Sequence, residues 1–320
     1  MDRLRVAVGV VIDPAGQVLV AHRDAARHQG GRLELPGGKI EHGESPITAL
    51  ARELDEELGI RPTGTELLIR VCHDYDDLRV ELHAFRVSAW DGRPHGREGQ
   101  AIEWLPREAL AATSFPAANR PILAALQWPP LCLVTPDIEM RESGLERVCE
   151  AVRRAVAHGV EVVQLRAPSW SAEDLLVGAG QLVEEVGPRV RVLVNASVDM
   201  AVALPGGVGL HLTAARAAVC PQRPIDADRW LSVSVHDRAE LVHAERIGAD
   251  LAFVAPVRST QTHPGAPSLG WPGLEALAAA TSMPLFGLGG LEPGDLAQAR
   301  LAGAIGVAGI RGFQGRFAPD

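Results

Sequence analysis

Basic residues are scarce in this sequence relative to acidic ones. Its 31 lysines and arginines face 40 aspartates and glutamates, which gives a net charge of −9 at pH 7. A nucleic-acid polymer or an anionic membrane surface would require clustered Lys and Arg. We therefore expect neither of them as a partner of this protein.

Paired cysteines and long apolar runs are missing as well. The four cysteines, Cys72, Cys132, Cys149 and Cys220, have no Cys-x-x-Cys spacing and no histidine at zinc spacing. Buried free thiols in a reducing compartment are therefore expected. The sequence contains no apolar run of about 18 residues, and no charged-then-apolar leader follows the first methionine. These absences favour a cytoplasmic protein.

The length of the chain indicates two domains. At 320 residues, 47% of them hydrophobic, it is too long for one ordinary domain and can bury two cores. Trp128 is followed by Pro129 and Pro130, which cannot continue a helix and make a short, stiff connection. We place one domain at residues 1–128 and the other at residues 131–320.

Residues 35–60 carry the most informative pattern, a glycine-rich loop followed by a helix and a second loop. Ser45 is a good N-cap, Pro46 suits the first helical position, and Gly59 can adopt the left-handed conformation after the last turn. The helix is therefore predicted over Pro46–Leu58. Its apolar stripe is formed by Ile47, Leu50, Leu54 and Leu58.

The side largely opposite this stripe is acidic. Glu53, Glu56 and Glu57 repel one another at this spacing, and the last two stand near the negative end of the helix dipole. Taken alone, three such glutamates would indicate a solvated helix face. A hard divalent cation would also compensate them, because Mg²⁺ takes oxygen ligands and leaves positions for substrate phosphates.

The spacing of the whole segment decides between these alternatives. It reads Gly38, five residues, Glu44, seven residues, Arg52-Glu53-Leu54, one residue, Glu56-Glu57, one residue, Gly59-Ile60. This pattern matches the Nudix box at every defined position, so residues 1–128 resemble a Nudix hydrolase. The resemblance implies an α/β/α sandwich and a hydrolysis that depends on Mg²⁺, with Mn²⁺ as an alternative ion.

The resemblance also implies roles for individual residues. The implied catalytic residues are Arg52, Glu53, Glu56 and Glu57. The implied metal ligands are Gly37, Glu53, Glu56, Glu57 and Glu98. Arg52 would orient the catalytic glutamate. Glu53 is the best candidate for the general base, but the sequence leaves open which carboxylate takes the proton.

Further residues narrow the resemblance to the MutT branch, namely Arg23 and His28 before the box and the stretches 96–100 and 114–122. This branch hydrolyses oxidised purine nucleoside triphosphates. The implied reaction converts 8-oxo-dGTP to the monophosphate and pyrophosphate, which sanitises the nucleotide pool for DNA replication and repair. The implied substrate-binding residues are Arg23, His28, Leu35, Gly38, Lys39 and Asn119.

Asn119 is the residue that would read the base. 8-Oxoguanine carries a hydrogen on N7, so one amide can accept from N7–H and donate to O6, whereas guanine presents an acceptor at N7. The mismatch leaves a buried acceptor unpaired, at a cost of about 1–3 kcal/mol. Judged alone, an Asn before Arg-Pro would more simply be a turn or a cap. Leu35 stands where related enzymes often have an aromatic residue, so a ring that could stack on the base is missing.

The other elements of the first domain follow from β-branched runs and turn residues. Residues 6–12 and 17–21 flank a turn composition and predict a β-hairpin. Further strands are predicted over residues 67–73, 78–90 and 101–105, and a closing helix over residues 118–127.

The second domain shows eight short apolar runs separated by helix-like segments. The runs cover residues 131–134, 161–165, 190–195, 207–212, 231–235, 251–255, 285–288 and 304–308. This alternation predicts a (β/α)₈ TIM barrel. After the eighth run and the residues Gly309-Ile-Arg311 that follow it, only residues 312–320 remain, so we expect the barrel to lack a full last helix. We expect the Nudix domain or a second subunit to cover the gap, by tight interdomain packing or in a dimer.

Polar residues follow these runs, at the end of a barrel where active sites form. The candidates for a phosphate or ligand site are Gln164, Arg166, Asn195, His211, Thr260, Thr262, Gly289, Gly290 and Arg311. With them, residues 131–312 resemble thiamine phosphate synthase and its relative TenI, a thiazole tautomerase. Ala196 replaces the metal-binding Asp of the synthases, and Ala167-Pro168 replace an acid and a lysine. A Mg²⁺–pyrophosphate complex then has little to hold it, so synthase activity is not expected.

Two further functions stay open. The Nudix domain could cleave a pyrimidine or thiamine diphosphate in a thiamine pathway, since the chain joins it to this barrel. The barrel could instead be a non-catalytic ligand-binding or scaffolding module. A small-molecule nucleotide is the substrate that the Nudix resemblance favours.

Overall fold

The structure is a computed structural model, which describes residues 3–22, 32–75, 78–110, 115–140, 143–260 and 267–313. The chain divides into two compact units. One consists of Met1–Trp128 with Ala278–Ser282, and the other of Pro129–Leu277 with Met283–Asp320. Among the helices of the described ranges, none is long and apolar enough to cross a membrane.

The first unit contains two small sheets and the helices that pack on them. Its strands are β1 (Leu4–Val11), β2 (Val18–His22), β3 (Leu33–Glu34), β4 (Gly37–Lys39), β5 (Arg61–Asp74), β6 (Arg79–Asp91) and β7 (Ile102–Leu105). Its helices are α1 (Pro46–Leu58), α2 (Arg107–Leu110) and α3 (Arg120–Gln127). One sheet has the strand order β4-β1-β6-β5 and the other has the order β3-β2-β7. This is the α/β architecture of a Nudix domain.

The predicted β-hairpin at the start of the chain is wrong. β1 and β2 belong to different sheets and share one antiparallel bridge, between Ile12 and Val18. The turn itself is present, because Asp13 N–H donates to Gln17 O at 3.0 Å. No ladder follows the turn, since β1 already pairs on both edges, with β4 and with β6.

Helix α1 has the predicted ends and caps. Ser45 Oγ accepts from Thr48 N–H at 3.2 Å, and Gly59 adopts the left-handed conformation with φ 68°. The buried positions on its core face are Ala49, Leu50, Leu54 and Leu58. Burial of each leucine stabilises the fold by roughly 1.5–3 kcal/mol. The prediction for Ile47 is wrong, because this first-turn residue is 49% exposed and lies outside the core cluster.

The second unit is a closed barrel of parallel strands, as predicted. The strands are β8 (Leu131–Val134), β9 (Val162–Leu165), β10 (Arg191–Asn195), β11 (Gly209–Leu212), β12 (Leu231–Val235), β13 (Leu251–Val254), β14 (Leu285–Leu288) and β15 (Gly306–Gly309). The helices between them are α4 (Gly144–Ala157), α5 (Ala172–Val186), α6 (Val198–Ala201), α7 (Ala214–Ala218), α8 (Arg238–Arg246), α9 (Gly270–Ala278) and α10 (Leu296–Leu301). A 3₁₀ turn at Arg311–Phe313 ends the described residues. The expected cover of the last strand stays a prediction.

Strand register decides which side chains point into the barrel. His211 of β11 pairs with Asn195 of β10 and with Ser232 of β12. Side chains at paired positions share one face of a sheet. The His211 ring meets the Phe253 ring edge-on at 5.3 Å, and Phe253 stacks on Phe286. The face that carries His211 is therefore the interior of the barrel.

Candidate active site

The glycine-rich loop lies directly against the acidic face of α1. It forms β4, whose Gly37 and Gly38 pair with β1. A Cβ on Gly37, which has φ 141°, would lie 2.1 Å from Ala7 O, and a Cβ on Gly38 would lie 2.2 Å from the Glu53 carboxyl carbon. No larger residue fits at either position without a shift. The loop backbone can therefore approach the Glu53 carboxylate closely.

One pocket brings together three of the predicted carboxylates. It has a volume of about 490 Å³. The residues that line it are Gly37, Gly38, Lys39, Ile40, Glu41, Glu53, Glu57 and Glu98. Glu56, also predicted as a ligand, lies outside this lining, and its side chain is 57% exposed.

Arg52 ties the helix to the loop. Its Nη1 donates to Glu53 Oε1 at 2.8 Å and to Glu56 Oε2 at 3.3 Å. Its Nη2 donates to Lys39 O at 2.9 Å and to Glu44 Oε2 at 3.0 Å. These hydrogen bonds, to Glu44 first and then to Glu53, raise the pKa of Arg52, and the bond from Arg52 lowers the pKa of Glu44. The Glu53 carboxylate is thus held by the residue predicted to orient it.

Glu57 is the carboxylate of this pocket whose pKa is clearly raised. Its pKa is raised to about 7, mainly by burial and in smaller part by repulsion from Glu53, Glu34 and Glu98. A hydrogen bond from Gly37 N–H to its Oε2, at 2.9 Å, acts in the opposite direction. Sequence reasoning missed Glu34, which lies on β3 and contributes to the electrostatics of Glu57. Its position directly before Leu35 was the available signal.

The loop that carries Glu98 is bound to the end of α1. Arg97 N–H donates to Glu57 O at 2.9 Å, and His95 N–H donates to Leu58 O at 3.1 Å. Gln100 Nε2 donates to Glu57 O at 3.0 Å. These bonds satisfy carbonyls that the last turn of a helix leaves open. They also explain how Glu98, 41 positions after Glu57 in sequence, reaches the same pocket.

The donor groups of the pocket fit a hard divalent cation. Carboxylate oxygens are the ligands that Mg²⁺ prefers. Burial is the main cause of the raised pKa of Glu57, and repulsion from neighbouring carboxylates, which a cation would relieve, adds to it. Over the residues that the structure describes, no group of three or more His, Cys, Asp or Glu is already arranged to hold a metal ion. Holding Mg²⁺ would therefore draw Glu53, Glu57 and Glu98 closer together.

Asn119, the residue predicted to read the nucleobase, is not among the residues that line this pocket. Asn119 ends a 3₁₀ turn at Ala117–Asn119 and precedes α3, so the closing helix begins with this turn. It is 9% exposed, and its side chain makes no capping hydrogen bond. The amide is therefore not used as a helix cap. Leu35 is buried, and Arg23 and His28 lie outside the described residues.

Four of the predicted barrel residues lie at or near the carboxyl ends of their strands, namely Gln164, Arg166, Asn195 and His211. Gln164 is 2% exposed, and Arg166 follows it at the carboxyl end of β9. His211 is buried between two hydroxyl groups, with Nδ1 2.9 Å from Ser232 Oγ and Nε2 2.9 Å from Ser234 Oγ. Burial, with smaller contributions from Arg216 and Arg166, lowers the pKa of His211 to about 3. The imidazole is therefore neutral at physiological pH.

The remaining barrel candidates follow later strands. Gly289 and Gly290 have φ values of 98° and 65°, and a Cβ on either would come within 3.0 Å of residues 256–259. Thr260 follows β13 and Arg311 follows β15, so both lie at carboxyl ends of the barrel strands. Thr262 lies outside the described residues.

Sequence reasoning missed Arg216 as a site residue. It lies on α7, and its Nη1 donates to Asn195 Oδ1 at 2.9 Å. The available signal was an arginine in residues 213–218, which directly follow His211 and Leu212 in the sequence.

Comparisons with known proteins agree with the two folds. Residues 7–125 match the family described as "NUDIX domain", and residues 131–313 match the family described as "Thiamine monophosphate synthase". An 8-oxo-dGTP diphosphatase of Escherichia coli K12 is 39% identical over 127 residues, which cover 40% of this chain and 98% of that protein. A CTP pyrophosphohydrolase of the same organism is 39% identical over 119 residues, covering 37% and 87%.

The barrel has relatives of its own. A thiamine-phosphate synthase of Laribacter hongkongensis is 37% identical over 173 residues, which cover 53% of this chain and 78% of that protein. The chain therefore belongs to two families at once, with an N-terminal Nudix hydrolase domain and a C-terminal domain of the thiamine monophosphate synthase/TenI family.

Proposed function

We propose that the Nudix domain hydrolyses 8-oxo-dGTP to the monophosphate and pyrophosphate with Mg²⁺, or with Mn²⁺ in its place, and so sanitises the nucleotide pool. The observation that carries the proposal is the pocket in which Glu53, Glu57 and Glu98 meet the glycine-rich loop. This arrangement suits a substrate whose phosphates arrive with a hard cation.

We assign the residues of the pocket different roles in this reaction. When bound, Mg²⁺ would activate water and neutralise charge on the phosphates. Glu57 and Glu98, with the loop at Gly37, would hold the ion. Glu53, fixed by Arg52 at 2.8 Å, is the candidate general base, because its carboxylate is oriented before substrate binds. Lys39 lines the same pocket and adds a positive charge for the polyphosphate.

Our choice of 8-oxoguanine as the nucleobase of the substrate depends on Asn119. Its amide is buried and is not used as a helix cap, so it can accept from N7–H of an oxidised purine and donate to O6. Identity to the 8-oxo-dGTP diphosphatase supports this choice. It does not decide the substrate alone, because the CTP pyrophosphohydrolase is equally identical over a slightly shorter stretch.

Product analysis tests the reaction. The full chain is incubated with 8-oxo-dGTP and Mg²⁺, and the phosphorus products are identified. We expect the monophosphate and pyrophosphate in equal amounts. Release of inorganic phosphate with the diphosphate, or an absence of turnover, would contradict the proposal.

A second candidate is hydrolysis of a pyrimidine or thiamine diphosphate by the same pocket. One observation favours it, namely that the Nudix domain shares its chain with a barrel of the thiamine monophosphate synthase family. The same metal and carboxylate chemistry would serve either substrate. A preference for thiamine diphosphate over 8-oxo-dGTP would establish this candidate in place of the first.

A further inference from the structure

The barrel mouth has a guanidinium group where the synthase resemblance implies a metal ion. Arg216 Nη1 donates to Asn195 Oδ1 at 2.9 Å. The next residue is Ala196, which is 1% exposed and stands in place of the metal-binding Asp expected from that resemblance. The donor set near Asn195 therefore does not fit Mg²⁺, because it has lost a carboxylate and gained a positive charge.

An unpartnered donor points toward the same region. Gln164 is 2% exposed, and its Nε2 has no hydrogen-bond partner among the residues that the structure describes. Gln164 pairs in register with Leu193, which lies two residues before Asn195 on the same strand. Side chains two residues apart on a strand share one face, so the Gln164 and Asn195 side chains both face the barrel interior, like His211. A buried, unpaired amide costs about 1–3 kcal/mol, so an acceptor on a bound ligand would stabilise this NH₂ group.

Two arginines act on the buried His211 ring. Arg166 and Arg216 both contribute to the lowered pKa of His211, which places the two guanidinium groups within electrostatic reach of one buried ring. Ala167 and Ala196 are both buried and carry no charge that would offset them. Arginine presents five N–H donors, so Arg216 keeps free donors after bonding to Asn195.

We propose that this mouth binds a phosphate-bearing small molecule without a divalent cation. Arg166 and Arg216 would carry the charge of the phosphate, since guanidinium and phosphate match in a two-point geometry. Gln164 would donate to an acceptor on the ligand. This inference concerns the second unit and is independent of the reaction proposed for the Nudix domain.

Inorganic pyrophosphate is the probe that tests the proposal. Its binding to the full chain is measured by ³¹P NMR in excess EDTA, which removes metal-held binding to the carboxylate pocket. We expect saturable binding that weakens at least about tenfold in Arg216→Ala and less in Arg216→Lys, because Lys keeps the charge but not the fork. Arg154→Ala is the matched control, since Arg154 pairs with Glu150 on the outer helix α4, and it should not change the affinity.

Added Mg²⁺ completes the test. The Arg216-dependent part of the binding should change less than about twofold, since the site has no carboxylates left for the ion. Three results would each overturn the proposal: no binding in EDTA, binding that is unchanged in Arg216→Ala, or Arg216-dependent binding that appears only with Mg²⁺. None of them bears on hydrolysis by the Nudix domain, which is measured separately.

Discussion

The two domains arrange charge in opposite ways at the sites that we propose for phosphates. The Nudix pocket gathers Glu53, Glu57 and Glu98, whereas Arg166 and Arg216 both lie within electrostatic reach of His211 in the barrel. Burial is the largest cause of a shifted pKa in both, upward for Glu57 and downward for His211. Neighbours of like charge enlarge each shift. In the two proposals taken together, the sign of the surrounding side chains decides whether a phosphate needs a metal.

The largest expected effect is the absence of metal-dependent synthase chemistry in the barrel. We expect the full chain with Mg²⁺ to couple a pyrimidine diphosphate to a thiazole phosphate at no rate above background, because Ala196 and Arg216 cannot hold a Mg²⁺–pyrophosphate complex. The measurement is product formation in a purified sample, with an authentic synthase as positive control. Coupling at an ordinary enzymatic rate would show that the barrel does not need carboxylates at positions 196 and 216 for this reaction.

The next largest effect is expected from the carboxylates of the Nudix pocket. Glu57→Gln and Glu53→Gln should each lower kcat/KM for 8-oxo-dGTP at least about a hundredfold, because each removes a charge that faces the ion. The matched control is Glu108→Gln, an exposed carboxylate on α2 that should leave turnover unchanged. Near-normal turnover of either pocket variant at saturating Mg²⁺ would remove the basis for the metal site.

A smaller effect is expected from Asn119, the residue proposed to read the nucleobase. Asn119→Ala should reduce the preference for 8-oxo-dGTP over dGTP by about ten- to a hundredfold, which corresponds to a discrimination of about 1–3 kcal/mol. Turnover of dGTP should change less, because guanine does not gain the N7–H bond. Paired kcat/KM values for the two nucleotides measure the ratio, and an unchanged ratio would place base recognition at other residues.

The smallest expected effect is a shift of stability with pH. The pKa of Glu57 is raised to about 7 from an ordinary 4.5, so the protonated side chain favours the folded state. That contribution is complete below about pH 4.5 and is lost as the pH rises through about 7. In EDTA, Glu57→Gln should melt at nearly the wild-type temperature near pH 5 and a few degrees above it near pH 8. A difference that is constant with pH would contradict the assigned burial and repulsion.

Local sequence signals predicted the elements whose ends are set locally. The bounds of α1 follow from Ser45, Pro46 and Gly59, and the eight barrel strands follow from short apolar runs between helical segments. The hairpin failed because the pairing of β1 with β6 joins residues that are far apart in sequence. A turn between two strands does not reveal which partners compete for their edges.

In the candidate sites, too, local sequence signals did not reveal contacts between residues that are distant in sequence. Spacing on one helix found Glu53 and Glu57, since both lie on one helical face. Glu34 and Arg216 were missed because their neighbours, Glu57 and Asn195, come from other segments and meet them only in the folded chain. Glu98 was reached through family resemblance, and the bonds that anchor its loop to the end of α1 were not foreseen.

The most direct test of the central claim is a comparison of substrates on one preparation of the full chain. Values of kcat/KM with Mg²⁺ are measured for 8-oxo-dGTP, dGTP, CTP and thiamine diphosphate. The account predicts that 8-oxo-dGTP exceeds each of the others by at least about tenfold, through the single amide of Asn119. A higher value for CTP or thiamine diphosphate would contradict it.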